Sequence, residues 1–210
     1  MDAVSILSLA CITVTIISFT AGMPDFIIIL KRKHTGSTPF LPFLMGFITN
    51  IGCLLYGMLK WDFTILVVNS VGSVLHVFYV LVYLSYSSNK STSLRQFTIA
   101  TLLMVGLYLY LAHVVVDPRR VESLLGLATC VLILFANVSP MAELKNIINN
   151  QCSASLSFPF ALGIFMNSIL WSLYGMAIQD VYVMIPSLPG VCSSLLQFYL
   201  LFKYPAKKVD

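Results

Sequence analysis

Leu55-Tyr56-Gly57-Met58 recurs as Leu173-Tyr174-Gly175-Met176, 118 residues further on. An aspartate follows each copy at the same distance, Asp62 after the first and Asp180 after the second. Outward from this pair the register holds: Asp25 falls on Glu143, Gly72 on Gly190 and Tyr86 on Tyr204. Leu41-Pro42-Phe43 answers Phe158-Pro159-Phe160 at a shift of 117, so one residue is gained and lost along the way. Leu and Val match by accident in an apolar chain. Aligned Asp, Gly, Tyr and Pro do not, and the chain reads as an internal duplication.

Composition names the solvent of the two halves. Of 210 residues, 59% are apolar and only 10% charged, with a mean hydropathy of +0.92. A soluble domain carries about 25% charged residues, so hydrocarbon is the medium that fits. A membrane span takes about 20 apolar residues. Seven stretches qualify: Val4–Leu30, Phe40–Leu59, Phe63–Tyr86, Phe97–Val116, Leu124–Ile148, Phe158–Ile178 and Val181–Phe202. They must be helices, because an unpaired backbone group in lipid is costly. Lys60-Trp61-Asp62 and Gln179-Asp180 are short links that join antiparallel neighbours. Residues 4–86 form a first three-helix repeat, 124–204 a second, and 97–116 a linker helix between them. The expected fold is an all-α membrane protein with seven transmembrane helices in 3+1+3 order, packed as one bundle. One intervening span makes both units start on the same side, so the repeats are parallel. Parallel repeats place a substrate site between the halves.

Charge sets the direction. Lys31, Arg32, Lys33, Lys90, Arg95, Lys145, Lys203, Lys207 and Lys208 fall on one side, and only Lys60, Arg119 and Arg120 on the other. The positive-inside rule then puts the C-terminus in the cytosol and the N-terminus outside or in a lumen. The net charge of +4 is thereby a topology signal and no evidence for a nucleic-acid partner. The five cysteines have no CxxC or metal spacing and report no redox compartment. Val4–Leu30 is too long for a signal-peptide core and lacks a basic leader, so it is expected to be a mature span.

Polar residues inside spans are the candidates for chemistry. Asn69 lies seven residues past Asp62, and Ser187 seven past Asp180. Cys53 lies seven before Lys60, and Trp171 nine before Asp180. At 1.5 Å per residue, Asn69 and Cys53 sit about 10 Å below the outer boundary, and all four residues can share one layer. An amide can donate and accept hydrogen bonds with a neutral polar solute, and an indole offers a flat apolar face with an N–H at its edge. Asn69 as interhelical glue and Trp171 as an interface anchor are the plainer alternatives. Pro42, Pro140 and Pro159 sit in spans or at their cytosolic ends, where Pro permits a bend. His76 is an ionisable residue within a span, two turns below Asn69, and is a candidate for the cavity wall. A neutral imidazole in a polar cavity is expected in preference to a proton relay, since its repeat partner is Ser194 and no intramembrane carboxylate accompanies it.

These features together resemble the SWEET sugar transporters, the MtN3/saliva family, over nearly the whole chain. The motifs that carry the resemblance are Leu41-Pro42-Phe43 with Tyr56-Gly57, Phe158-Pro159-Phe160 with Trp171-Ser172-Leu173-Tyr174-Gly175, and Asn69-Ser70-Val71-Gly72 answered by Ser187-Leu188-Pro189-Gly190. Leu-Tyr-Gly-Met and Phe-Leu-Pro-Phe are closer to animal than to plant members. The resemblance implies that Asn69, Ser187, Cys53 and Trp171 contact the sugar. Ser187 departs from the family's second Asn, which bears on sugar choice and affinity. It implies an extracellular gate in which the Tyr56 hydroxyl meets Asp180, with Tyr174 and Asp62 as the symmetric pair. It implies a tetrad of hinge prolines, filled here by Pro42, Pro140, Pro159 and, in the first span, by Gly22, Pro24 or both.

The absences narrow the class further. There is no HExxH, GxSxG, P-loop or GxGxxG, so no enzyme, cofactor or ATP motor is expected. The expected activity is facilitative, bidirectional uniport of a sugar, a hexose such as glucose, by alternating access of the two three-helix halves. A PQ-loop-type transporter of an amino acid or other small polar solute is one alternative, but Phe follows both Pro42 and Pro159. A seven-span receptor or scaffold is another, disfavoured by the duplication and the near absence of loops. The implied partners are a small-molecule sugar and the lipid bilayer, with a homo-oligomer compatible. The location is the plasma membrane, the Golgi membrane or both.

Overall fold

The computed structural model describes residues 2–20, 23–36, 38–136, 144–145, 147–149, 151, 153 and 156–204. Among them there is no strand. The helices are α1 (Ala3–Phe19), α2 (Met23–Arg32), α3 (Leu41–Lys60), α4 (Phe63–Tyr86), α5 (Lys90–His113), α6 (Pro118–Ala136), α7 (Phe158–Ala177), α8 (Val181–Met184) and α9 (Leu188–Lys203), with a 3-10 turn at Ile185–Ser187 joining the last two. The seven spans in 3+1+3 order are therefore present, and among the described residues two of them are interrupted. The first span, expected as one helix over Val4–Leu30, is two, α1 and α2. The seventh runs α8, 3-10 turn, α9, because Pro186 has no N–H to continue the ladder. By length and composition, Leu41–Lys60, Phe63–Tyr86, Lys90–His113 and Val181–Lys203 are each able to cross a membrane.

The duplication is written in the backbone. Among the described residues, four that are not glycine have positive φ: Lys33 (55°), Trp61 (52°), Gln151 (49°) and Gln179 (54°). They form two pairs, each separated by the repeat interval. Trp61 and Gln179 end α3 and α7 in the left-handed conformation. In both turns the aspartate's N–H reaches back to the repeated glycine, Asp62 to Gly57 O at 3.1 Å and Asp180 to Gly175 O at 2.8 Å. Each aspartate then caps the next helix. The Asp62 carboxylate accepts from Ile65 N–H at 2.9 Å, and that of Asp180 accepts from Tyr182 N–H at 3.0 Å. The turn thus satisfies orphan groups of one helix end and the following helix start within a few residues.

Packing divides the described residues into two compact units, one from Met1–Ser18 and Ile133–Asp210, the other from Phe19–Leu132. The division cuts the first span of each repeat. α1 belongs to the unit that contains the second repeat's α7 and α9, while α2 and most of α6 belong to the unit of α3 and α4. The linker α5 also belongs to the latter, and buries only Ser93 and Leu111.

In the α2–α6 unit the core gathers at the end where α2 finishes and α3 starts. Ile29, Phe40, Phe43, Leu44, Ile48, Tyr79, Val80 and Tyr83 form one buried cluster. Tyr83 anchors the connecting loop, donating from its hydroxyl to Thr38 O at 2.8 Å. Its ring lies 4.9 Å from that of Phe40 and 5.7 Å from that of Phe43. Such ring pairs contribute about 0.5–1.5 kcal/mol each beyond burial. In the other unit Leu144, Ile147 and Leu200 pack together against Leu156 and Tyr204, and Ser153 donates from its hydroxyl to Tyr204 O.

Small residues let the hairpin helices approach. A methyl at Gly57 would stand 2.8 Å from Ile65 Cγ2 and 3.3 Å from Leu66 N; one at Gly175 would stand 2.7 Å from Met184 N and 2.9 Å from its Cα. The two neighbours at issue, Leu66 and Met184, are again one repeat apart. Without a hydrophobic drive between helices in lipid, such close contact is what holds them. The obstacle at Gly175 is backbone, which cannot swing away. Gly175→Ala should therefore lower the thermal stability of the detergent-solubilised protein, by about 1–3 kcal/mol. Gly106→Ala in α5, where nothing lies within 4 Å, should be neutral or stabilising. Thermal unfolding of both variants, read by size-exclusion chromatography, checks the contrast.

Candidate functional site

The side chains expected to act fall into the two units as two matched sets. Cys53, Tyr56, Asp62, Asn69 and His76 belong to α3, α4 and their turn. Trp171, Tyr174, Asp180 and Ser187 belong to α7 and the α8–α9 region.

The matched pairs share local hydrogen bonding. The Asn69 amide donates to Ile65 O at 2.8 Å. The Ser187 hydroxyl donates to Val183 O at 3.2 Å, one repeat on. Each side chain is thus tied to the carbonyl four residues back. Asn69 is buried, and one donor of its amide is spent in this way. Its second N–H and its carbonyl oxygen have no hydrogen bond among the described residues. Ser187 has no second donor, so the substitution of hydroxyl for amide halves the donors at the matched position. Lower on the same helices, His76 Nδ1 lies 2.9 Å from Gly72 O, and the Ser194 hydroxyl donates to Gly190 O at 2.8 Å. The Asn50 amide nitrogen lies 3.4 Å from the same Nδ1, so this ring nitrogen faces both a carbonyl acceptor and an amide donor.

His76 packs in a nest that spacing alone did not show. A methyl at Gly46 would collide with its Nε2, and a methyl at Gly72 would collide with Asn50 Oδ1. The rings of Phe19 and Tyr79 meet the imidazole edge-on at 6.0 and 5.5 Å. Asn50, buried and donating to Gly46 O at 2.7 Å, was missed from sequence. Carrying the 117 register past Phe43 finds it, because Gly46 then falls on Gly163 and Asn50 on Asn167. One extra residue lies between Asn167 and Trp171 relative to Asn50 and Cys53. In a helix one added residue rotates the two flanking segments by about 100° relative to each other. Ser168 consequently takes the place of Asn50, with its Oγ in the way of a methyl at Gly190. Asn167 instead faces α1, where its Oδ1 accepts from the Thr15 hydroxyl at 2.7 Å. Trp171 Nε1–H donates to the same Thr15 oxygen at 2.9 Å, and the indole meets Tyr174 edge-on at 5.9 Å.

Of the candidate hinges, Pro24, Pro42 and Pro159 all stand in the first turn of a helix, α2, α3 and α7. There Pro has no intrahelical bond to break and starts the helix. Gly22 and Pro140 lie outside the described residues. The 3-10 turn at Pro186 was not anticipated, although Ile185-Pro186-Ser187-Leu188-Pro189 carries the signal in two closely spaced prolines. Cys53 is half-buried; no metal-binding cluster of His, Cys, Asp or Glu occurs among the described residues. An apolar cleft of about 380 Å3 opens in the α2–α6 unit, lined by Leu55, Met58, Met104, Leu107, Tyr108 and Leu125 among others. With little but methyl and methylene groups facing it, this cleft has no way to pair the hydroxyls of a polyol. The intramembrane amides and hydroxyls above are the groups suited to that.

Capping by Asp180 gives a stability test independent of any gate. Asp180→Asn should leave the melting temperature near wild type, because Asn caps as well as Asp. Asp180→Ala should cost about 1 kcal/mol, read by thermal unfolding in detergent.

Comparison with known proteins bears directly on these groups. The family model described as a sugar efflux transporter for intercellular exchange (MtN3_slv) matches residues 5–91 and again 123–209. The sugar transporter SWEET1 of Rattus norvegicus is 36% identical over 205 residues, which cover 97% of this chain and 92% of that protein. Those of Homo sapiens and Danio rerio are both 34% identical, over 95% and 98% of this chain and 90% and 94% of theirs. Among solved structures, the 3.7 Å structure of a eukaryotic SWEET transporter superposes with a TM-score of 0.88 at 20% identity, covering 96% of each chain. That likeness establishes the fold. The two family matches coincide with the duplication read from Leu-Tyr-Gly-Met, and the resemblance drawn from the motifs holds: this chain is a multi-pass membrane protein that belongs to the MtN3/saliva (SWEET) family.

Proposed function

We propose that the chain is a facilitative, bidirectional sugar uniporter, with a hexose such as glucose as substrate, that works by alternating access of its two three-helix halves. The observation that carries this is the pair Asn69 and Ser187. Two polar side chains sit at matched positions of a duplicated transporter family, each tied to the carbonyl four residues back. They supply donors and acceptors without charge, which suits a neutral polyol. The relatives named as sugar transporters support the same substrate class, and neither a receptor nor an amino-acid transporter is favoured by them.

In this reading Asn69, Ser187, Cys53 and Trp171 contact the sugar. Tyr56 with Asp180 and Tyr174 with Asp62 gate the outer side, and His76 is a neutral part of the cavity wall. The hinges are Pro24, Pro42 and Pro159, with Gly22 and Pro140. The N-terminus lies outside or in a lumen and the C-terminus in the cytosol, in the plasma or Golgi membrane. Lys31 and Arg32 in the last turn of α2, and Lys203 in that of α9, support this orientation. On the opposite side Lys60 is neutralised by Glu122 at 2.7 Å.

Uptake of radiolabelled hexose into proteoliposomes tests the proposal. Saturable uptake should equilibrate without accumulation and be indifferent to an imposed proton gradient. Asn69→Ala and Trp171→Ala should each lose most of it. Absence of uptake of any hexose or disaccharide by folded protein sinks the transporter, whereas acceleration by an inward proton gradient sinks uniport alone. Ser187→Asn, which restores the second donor, should preserve uptake and change the order in which competing hexoses inhibit it.

A further inference from the structure

We infer that Thr15, on the first helix, is a positioning residue for the indole of Trp171. The inference rests on the proposed contact between Trp171 and sugar. Thr15 is buried in the α1 face and its hydroxyl is a node. It accepts from Trp171 Nε1–H at 2.9 Å and donates to Asn167 Oδ1 at 2.7 Å. The three groups form a directional chain, indole to hydroxyl to amide oxygen, in which each bond polarises the next.

A hydroxyl on a helix has an easy local alternative, the carbonyl four residues back. On the same helix Thr13 and Ser18 take it, donating to Leu9 O and Val14 O, both at 2.8 Å. Thr15 forgoes that bond and reaches across to α7. Its donor and one acceptor site are spent holding two side chains of another helix. The Trp171 plane is then fixed at two edges, by Thr15 at the nitrogen and by Tyr174 edge-on.

One chemical consequence is that the indole N–H is occupied. Trp171 therefore meets a sugar through its face and not as a hydrogen-bond donor, and the orientation of that face depends on Thr15. A second consequence concerns symmetry. One repeat on from Thr15 stands Ile133, and one repeat back from Trp171 stands Cys53. Neither can reproduce the tether, so this bridge from the first repeat to the second has no symmetric copy running from the second to the first.

The test uses the full chain in proteoliposomes for transport and in detergent for fluorescence. Trp61 and Trp171 are the only tryptophans, so Trp61→Phe leaves Trp171 as sole reporter. In that background Thr15→Val should shift the emission maximum to shorter wavelength, because the indole loses its acceptor; Thr15→Ser should not. Thr15→Val should raise KM for hexose about tenfold, the worth of one such hydrogen bond, with the maximal rate within about twofold of wild type. Thr15→Ser should restore KM. In a Trp171→Phe background Thr15→Val should have no further effect, since the coupled pair has already been broken. Unchanged KM and emission in Thr15→Val overturn the inference, as does equal impairment by Thr15→Ser. An additive effect of Thr15→Val on Trp171→Phe overturns it too, with the sugar contact left standing. Normal uptake by Trp171→Ala overturns the sugar contact and this inference together.

Discussion

Backbone amides in hydrocarbon have no water to turn to, so a span ends at the boundary, where its last carbonyls and the next helix's first N–H groups find partners in water or in the chain itself. The turn from Gly57 to Asp62, and its copy from Gly175 to Asp180, meets that constraint. The aspartate N–H closes back on the glycine carbonyl, and the aspartate carboxylate caps the succeeding helix. The glycine has a second duty, since its missing side chain is the space into which the next helix packs. Hairpin geometry set there fixes depths along α4 and along α8–α9, and with them the levels of Asn69, Ser187, His76 and Ser194.

The same economy runs through the polar interior. Asn69, Ser187, His76 and Ser194 each tie to the carbonyl four residues back. A polar side chain in a membrane interior is costly when unpaired. A local bond removes much of that cost and leaves part of the group's capacity for something else. Asn69 retains a donor and its carbonyl oxygen. Ser187 retains its lone pairs. The halves therefore offer a polyol different hydrogen-bonding sets at matched positions.

Asymmetry also enters through one inserted residue in α7. It lets Ser168 stand in for Asn50 against the helix glycine and swings Asn167 to α1. There Thr15 and Trp171 complete a hydrogen-bonded chain that the matched residues Ile133 and Cys53 do not reproduce. A duplicated scaffold acquires a one-sided interior by helix rotation, with no change in the number or order of spans.

The sequence by itself determined the membrane class, the seven spans, the duplication and the family. Hydropathy, glycine and aspartate spacing are local or periodic properties, and they survive in a linear string. It also pointed to Asn69, Ser187, Cys53 and Trp171 as one level, because depth along a helix is a count of residues. Only the tertiary structure decided which way side chains turn and what they touch. Asn50 and Asn167 are the same letter at matched positions, yet one packs on Gly72 and the other accepts from Thr15. The N–H of Trp171 looked available from sequence and is occupied by a residue 156 positions away. The first span read as one helix and is two, and Pro42 and Pro159, read as lying in spans or at their cytosolic ends, stand in the first turn of their helices. Rotation about a helix axis and contact between distant segments depend on packing across the fold, and no count along the chain contains them.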